Sequence, residues 1–521
     1  MTGAATLASR VLGLVRDQVL AGIFGAGNDM DAFVVAARIP NLVRDLFAEG
    51  AMSAAFVPAF TRHLTLEGKP AAWRLGNNVM NVLIVVTLVL VAAGMVFVRP
   101  LVTLYAGNYA DVPGKLELTV SLTRIMLPFL TMVAVAAVAM GMLNSLHHYF
   151  VPALSPAIFN ISTIVCAIAL VPLMPAMGLP RIMAIAIGAL IGGLGQVAVQ
   201  WPSLGNEGFR YQTIFDPSDR GLREIVMLMG PGTIGMAATQ VNIFVNTLLA
   251  TAQGTGAVSW LTYAFRLMYL PIGLFGVSIA TAVLPAVSRH AAVDDLAAIR
   301  MTVSRGLAMM LMLNVPATLG LVVLARPIVE LLFEHGRFTP ADTAATAAAL
   351  QFYAVGLVGY SAARIISPTF YALRQSRIAV GVSLATIAAN VALSVSLVAA
   401  IGFRGLALAT SIAALFNGSL LVLLLRRRLG GMEGRRLALA LGKVAVAAFV
   451  MAGSAWGINA ALLTVAPGPA VLLRAGRLAA AIGGGLVVLA ASATLLRIEE
   501  FQEALGALRA RVPDVVRSGR S

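Results

Sequence analysis

The run VMNVLIVVTLVLVAAGMVFV, Val79 to Val98, is twenty residues long and contains no charged side chain. A helix rises about 1.5 Å per residue, so such a run reaches across a hydrocarbon layer about 30 Å thick. The run lacks the polar–apolar alternation of a membrane β-strand, and in lipid a helix satisfies its own backbone groups. Similar runs recur throughout the chain, and fourteen spans are expected: Thr2 to Phe24, Ala32 to Thr61, Leu75 to Val98, Leu118 to Ser145, Ala153 to Leu173, Ile182 to Gln200, Leu222 to Ala250, Ala257 to Pro285, Leu307 to Ala325, Thr343 to Leu373, Ile378 to Ala400, Gly405 to Leu425, Leu437 to Leu462 and Val471 to Leu496. Composition agrees, with 59% hydrophobic residues, 11% charged and a mean hydropathy of +0.90 over 521 residues. These values exclude a soluble protein, and the chain reads as an all-α integral membrane protein.

The first span carries Arg10, Arg16 and Asp17 and has no basic segment before it, so it reads as a retained helix rather than a cleaved leader. Cys166 is the only cysteine, which excludes a disulfide framework and a thiolate metal centre. His147 and His148 are adjacent rather than one helical turn apart, and no metal or cofactor is expected. On the fourteen-span reading, with Arg223, Lys443, Arg474 and Arg477 near span starts counted with the loops before them, loops after even-numbered spans plus the C-terminal tail hold 22 Lys and Arg, and loops after odd-numbered spans hold 8. The positive-inside rule then places both termini in the cytoplasm. The net charge of +15 thus reports orientation, with Arg426, Arg427, Arg428, Arg435 and Arg436 facing anionic membrane lipids, and no nucleic-acid surface accompanies it.

The chain repeats itself internally. Pro58, Arg62 and His63 recur as Pro285, Arg289 and His290, and Arg99-Pro100 recurs as Arg326-Pro327, all at an offset of 227. The expected organisation is a first lobe of six spans over residues 1–205, a second over 206–430, two further spans over 431–496 and a cytoplasmic tail over 497–521. Six is even, so both lobes keep the same orientation in the membrane, as in transporters built from parallel repeats.

The two copies differ in charge. In and between the first two spans stand Arg10, Arg16, Arg38 and Arg44 with Asp17, Asp31, Asp45 and Glu49, whereas span seven has no charge from Ile225 to Gln253 and span eight keeps only Arg266. A charge at mid-bilayer costs about 2.5–3.5 kcal/mol on insertion scales, so this cluster implies a hydrated interior and an anion to hold. Arginine meets phosphate oxygens bidentately, which points to a phosphorylated ligand. The competing reading makes Arg16 with Asp17, and Arg44 with Asp45 or Glu49, paired struts between helices.

These residues stand in ordered motifs. Ser9-Arg10-Val11-Leu12-Gly13-Leu14-Val15-Arg16-Asp17, Phe24-Gly25-Ala26-Gly27, Asp31-Ala32-Phe33, Arg38-Ile39-Pro40-Asn41-Leu42-Val43-Arg44 and Phe47-Ala48-Glu49-Gly50-Ala51 resemble the signature of the MurJ (MviN) lipid II flippase family. Ser259-Trp260, Tyr263-Ala264-Phe265-Arg266-Leu267, Leu332-Phe333-Glu334-His335-Gly336-Arg337-Phe338-Thr339 and Phe370-Tyr371-Ala372-Leu373 are similar to the same family. The resemblance implies a multidrug/oligosaccharidyl-lipid/polysaccharide (MOP) exporter fold that moves lipid II, the undecaprenyl-diphosphate-linked peptidoglycan precursor, across the bacterial inner membrane. It implies no enzymatic activity, and cell-wall synthesis or division proteins as further partners. Residue by residue, it implies substrate-binding roles for Arg10, Arg16, Arg38, Arg44 and Arg266, for the acids Asp31 and Glu49, and for Ser259.

This chain departs from the pattern at Phe265, where many relatives carry an acid beside the arginine. The sodium site of some members rests on acids in spans seven and eleven, and this chain has none in span eleven and none in span seven beyond Glu224 at its very start. An exporter of other polyprenyl-linked glycans or of cationic drugs shares the architecture but gives less reason for four arginines in two spans. An intramembrane polyprenyl-lipid enzyme needs a catalytic cluster at a membrane face, and none is evident.

Overall fold

The computed structural model describes residues 2–45, 51–503 and 505–506. Helices and turns make up the described residues, with no strand. Ten helical segments are long and apolar enough to cross a membrane, and eleven if one pair bent by 43° counts as a single span. The expected fourteen is not reached by this measure.

Two compact units divide the chain, the first comprising Met1–Ser259 with His335–Thr339, the second Trp260–Glu334 with Pro340–Ser521. The first contains α1 (Thr2–Phe24), α2 (Asn28–Arg44), α3 (Ala51–Leu66), α4 (Lys69–Val96), α5 (Val98–Ala106), α6 (Lys115–Met126), α7 (Phe129–Ser145), α8 (Phe150–Ala169), α9 (Met183–Asn206) and α10 (Arg220–Thr251). Contact packing therefore sets its boundary after Ser259, whereas the sequence repeat falls near residue 205, because α10 packs on α3, α4 and α5. Neither α1 nor α2 is among these apolar spans, α2 being 17 residues long. Those two helices carry Arg10, Arg16, Asp17, Asp31, Arg38 and Arg44.

Within this unit α1 packs on α8, α8 on α9, and α7 on α3, α4 and α9. Phe56, Phe60, Val79, Met80, Met142, Leu204 and Ile225 form its main core. Small residues let α8 and α9 approach closely: a Cβ on Gly192 would stand 3.0 Å from Phe159 Cα.

The second unit contains the rest of the chain's helices, beginning with α11 (Ala257–Pro271), whose first three residues belong to the first unit. It continues with α12 (Val277–Ala292), α13 (Leu296–Phe333), α14 (Pro340–Ala354), α15 (Leu357–Ala372), α16 (Ser376–Ile401), α17 (Phe403–Arg428), α18 (Gly434–Val465) and α19 (Val471–Leu495). Between α11 and α12 a π-helical turn spans Ile272–Gly276, following Pro271, which cannot donate a backbone hydrogen bond. The long α13 is the unit's hub, packing on α12, α14, α15, α18 and α19. Asp295 caps its start by accepting from the Ala298 N–H at 2.9 Å. Val89, Phe449 and Leu486 are each more than half exposed, which suits faces turned to lipid.

The connector from α9 to α10 has no helix or strand over residues 209–216 and is held by three asparagines of α4. Asn77 donates to the Arg210 carbonyl at 3.1 Å and accepts from the Gln212 N–H at 2.8 Å. Asn78 makes the same pair of contacts with Asp216, both at 2.8 Å, and Asn81 donates to the Gln212 and Ile214 carbonyls. These amides stand in for the backbone partners that such a segment lacks. Replacing Asn78 with Ala strands both Asp216 groups, and limited proteolysis should show faster cleavage within 209–216.

At the head of this connector Glu207 accepts from Lys69 Nζ at 2.9 Å and pairs with His148 Nε2 at 2.7 Å. The hydrogen bond from Lys69, then that from His148, holds the Glu207 carboxyl below its ordinary range. A depressed carboxylate contributes stability that is complete above its unfolded pKa and is lost as pH falls through the folded value. Glu207→Gln should therefore lower Tm near neutral pH, and the two proteins should converge as pH drops below about 4.

Candidate functional site

Asp31 is fully buried near the start of α2. Its Oδ2 pairs with Lys115 Nζ at 2.9 Å and accepts from the Gly256 N–H at 2.7 Å. Its Oδ1 accepts from the Ser259 hydroxyl at 2.7 Å and the Ser259 N–H at 3.1 Å. The carboxylate thus caps the N-terminus of α11 from a distant part of the sequence, where helix N–H groups need acceptors and the dipole favours negative charge. Lys115 is itself buried, with its ammonium 4.1 Å from the Tyr109 ring centroid. Burial, and secondarily the Asp31 charge, push the Tyr109 hydroxyl above the ordinary phenol range, so it stays neutral.

Next to this cluster, the turn between α1 and α2 receives the segment His335–Thr339. The Arg337 N–H donates to the Gly22 carbonyl at 2.8 Å, and His335 Nε2 hydrogen-bonds the Gln18 carbonyl at 3.0 Å. Gly25 has a φ of +66°, and a Cβ there would stand 2.5 Å from the Arg337 carbonyl oxygen. Only glycine fits both conditions.

The arginines of the first two helices have different surroundings. Arg16 bonds its sequence neighbour Asp17 at 2.9 Å and donates to Asn160 of α8 at 3.0 Å, with the Phe159 ring centroid 5.7 Å away. Asn160 in turn donates to the Ser9 carbonyl, so α1 and α8 are tied at two points. Arg44 pairs with Asp45 at 2.8 Å, and Asp45 also accepts from Gln240 of α10. Both ion pairs join adjacent residues on one helix, so they fix side-chain direction more than they link helices. Arg38 is half-buried. Arg10 is exposed, and among the described residues no hydrogen bond or ion pair engages it. Glu49 lies outside the described residues.

Of the other expected site residues, Ser259 is buried and spends its hydroxyl on Asp31. In the second unit Arg266 of α11 is exposed. Phe265 stacks on Tyr269 with centroids 5.9 Å apart and meets the edge of Tyr353 at 5.4 Å. Arg364, alone among the charges of its span, donates to the Tyr269 hydroxyl. Phe265, Tyr269 and Tyr353 thus form an aromatic cluster with Arg364 bonded at Tyr269.

Lys115 was not expected from the sequence. Its signal was there: the chain contains 34 Arg and only three Lys, and one of them begins an apolar run.

The arrangement of polytopic helices has known counterparts. An inward-facing multidrug resistance MATE family transporter of the MOP superfamily superimposes with a TM-score of 0.69 at 16% identity, over 81% of this chain and 94% of that one. The fold is therefore that of a MOP-type membrane transporter. The family described as lipid II flippase MurJ matches residues 20–473. A probable lipid II flippase MurJ from Vibrio cholerae serotype O1 is 33% identical over 89% of this chain and 91% of its own length. A solved lipid II flippase MurJ in an inward closed conformation gives a TM-score of 0.77 at 25% identity, over 95% of this chain and 98% of that one. The chain belongs to the lipid II flippase MurJ family, a family of transporters rather than enzymes.

The buried pair makes a quantitative prediction. Removing one partner of such a pair costs about 3–5 kcal/mol, because the other charge is left uncompensated. Asp31→Asn and Lys115→Met should each lower Tm sharply in detergent, and the double variant should lose clearly less than the sum.

Proposed function

We propose that the protein carries lipid II from the inner to the outer leaflet of the bacterial cytoplasmic membrane by alternating access, with the diphosphate held by arginines. Family membership supports the substrate and direction. Arg10, Arg16, Arg38 and Arg44 on α1 and α2 are assigned to the diphosphate, and Arg266 of α11 to the same substrate. The carrying observation for the site is Arg10, an exposed cation on α1 with which no described carboxylate pairs. Asp31 is committed to Lys115 and the start of α11, which supports a closure role rather than charge compensation of the arginines. That contact consists of hydrogen bonds to one helix end, so it can break and re-form without unpacking an apolar core. Glu49 is assigned to the same charged region.

The same reading places both termini in the cytoplasm and counts α1, the α2–α3 pair and α10 with the eleven apolar spans, bringing the total to fourteen. Lipids of the membrane and proteins of cell-wall synthesis or division are the remaining partners in this reading.

Arg10, Arg16, Arg44 and Arg266 should be changed singly to Ala and to Lys in cells depleted of the parent protein. The Ala variants should leave lipid II on the cytoplasmic side by at least about tenfold over the parent, since a charge-assisted hydrogen bond contributes about 1.5–3 kcal/mol. Lys should restore part of the flux by keeping the charge without the bidentate geometry. Unchanged flipping in all the Ala variants refutes the site.

A further inference from the structure

At the paired ends of α18 and α19 lies a recess of about 570 Å³ whose wall includes Arg435, Arg436, Lys443 and Arg497. We propose that this recess binds the phosphate of an anionic phospholipid headgroup at the cytoplasmic leaflet. The proposal uses the topology of the preceding section but not the transport reading.

The electrostatics point to an anion. Arg436 is satisfied by Glu433 at 3.1 Å and Glu499 at 2.9 Å, and Glu500 is buried close enough to act on the same guanidinium. The wall sets four cations against the three acids Glu433, Glu499 and Glu500, a surplus of one positive charge, and among the described residues no carboxylate pairs directly with Arg435, Lys443 or Arg497; Lys443 Nζ reaches the Arg497 carbonyl at 3.3 Å. The helix α18 starts at Gly434 with two arginines and no acid in its first turn. Cations at a helix N-terminus oppose the dipole, so the end of α18 adds to the positive potential instead of relieving it.

Arg497 is a further sign of selection for charge at this spot. It has a φ of +49°, and the Ile498 N–H beyond it closes the end of α19 on the Ala493 carbonyl at 3.0 Å. Glycine is the residue that occupies such a position without strain. The backbone is fixed there because Ile498 is buried among Met312, Val444, Ala447 and Ala493. An arginine is thus held in a left-handed conformation at the mouth of a recess.

The shape of the wall selects a lipid over a free anion. Arg435, Leu439 and Lys443 stand at i, i+4 and i+8, a single stripe of α18, and Leu439 is 57% exposed between the two cations. A ligand that meets this stripe must present a phosphate and an apolar chain together. An anionic phospholipid does so, and inorganic phosphate does not.

The test uses the full-length protein in a neutral detergent, with thermal unfolding and native mass spectrometry as readouts. Phosphatidylglycerol should raise Tm by several degrees and give a retained one-to-one adduct, whereas phosphatidylcholine and millimolar inorganic phosphate should do neither. Arg497→Gly removes the cation and eases the backbone, so its Tm without added lipid should be equal to or above the parent's, while the phosphatidylglycerol shift falls by at least half. Lys443→Gln should reduce the shift similarly, and Arg427→Gln, outside the recess, should leave it intact. The proposal is overturned if inorganic phosphate reproduces the shift, if Arg427→Gln weakens it as much as Arg497→Gly, or if Arg497→Gly lowers the basal Tm and keeps the shift.

Discussion

An ion taken out of water must find partners, and this requirement organises the first unit from α1 to the start of α11. Asp31 meets it completely, with an ammonium, two backbone N–H groups and a hydroxyl around one carboxylate. Burying that acid is tolerable only because each acceptor site is filled. The same rule places Lys115 under Tyr109, draws Arg16 toward Asp17 and Asn160, and sets Arg44 against Asp45. Arg10 stands apart from that pattern, which makes it the informative member of the set.

Two kinds of polar chemistry coexist in the chain and do different work. The asparagine series on α4 is neutral, satisfies the connector, and fixes a path for the backbone. The charged residues on α1 and α2 carry potential as well as geometry, and so can act on a phosphorylated substrate. The aromatic cluster of Phe265, Tyr269 and Tyr353 belongs to neither kind. It packs three rings together and offers Arg364 a phenol hydroxyl as its hydrogen-bond partner.

The C-terminal helices show how a late part of the chain is integrated. After α19 the chain inserts Ile498 into the core of the second unit, with Phe501 packed beside it. Anchoring these apolar residues turns Arg497 outward and forms one wall of the basic recess. Packing of an apolar pair thus determines where a cation is displayed.

Sequence alone determined the all-helical membrane class, the family and the placement of charge, because these depend on composition, on runs longer than a bilayer is thick, and on ordered local motifs. Internal repetition was legible for the same reason, since it is a relation between positions along one chain. The pairing of Asp31 with Lys115, Gly256 and Ser259 was not, as it joins residues up to 228 positions apart whose only common property is where the fold puts them. Nor could the sequence separate Arg16, tied to α8, from Arg10, which is exposed, although both sit in one short motif. Partner choice for a buried charge is decided by distances of about 3 Å, and those exist only once the helices have packed.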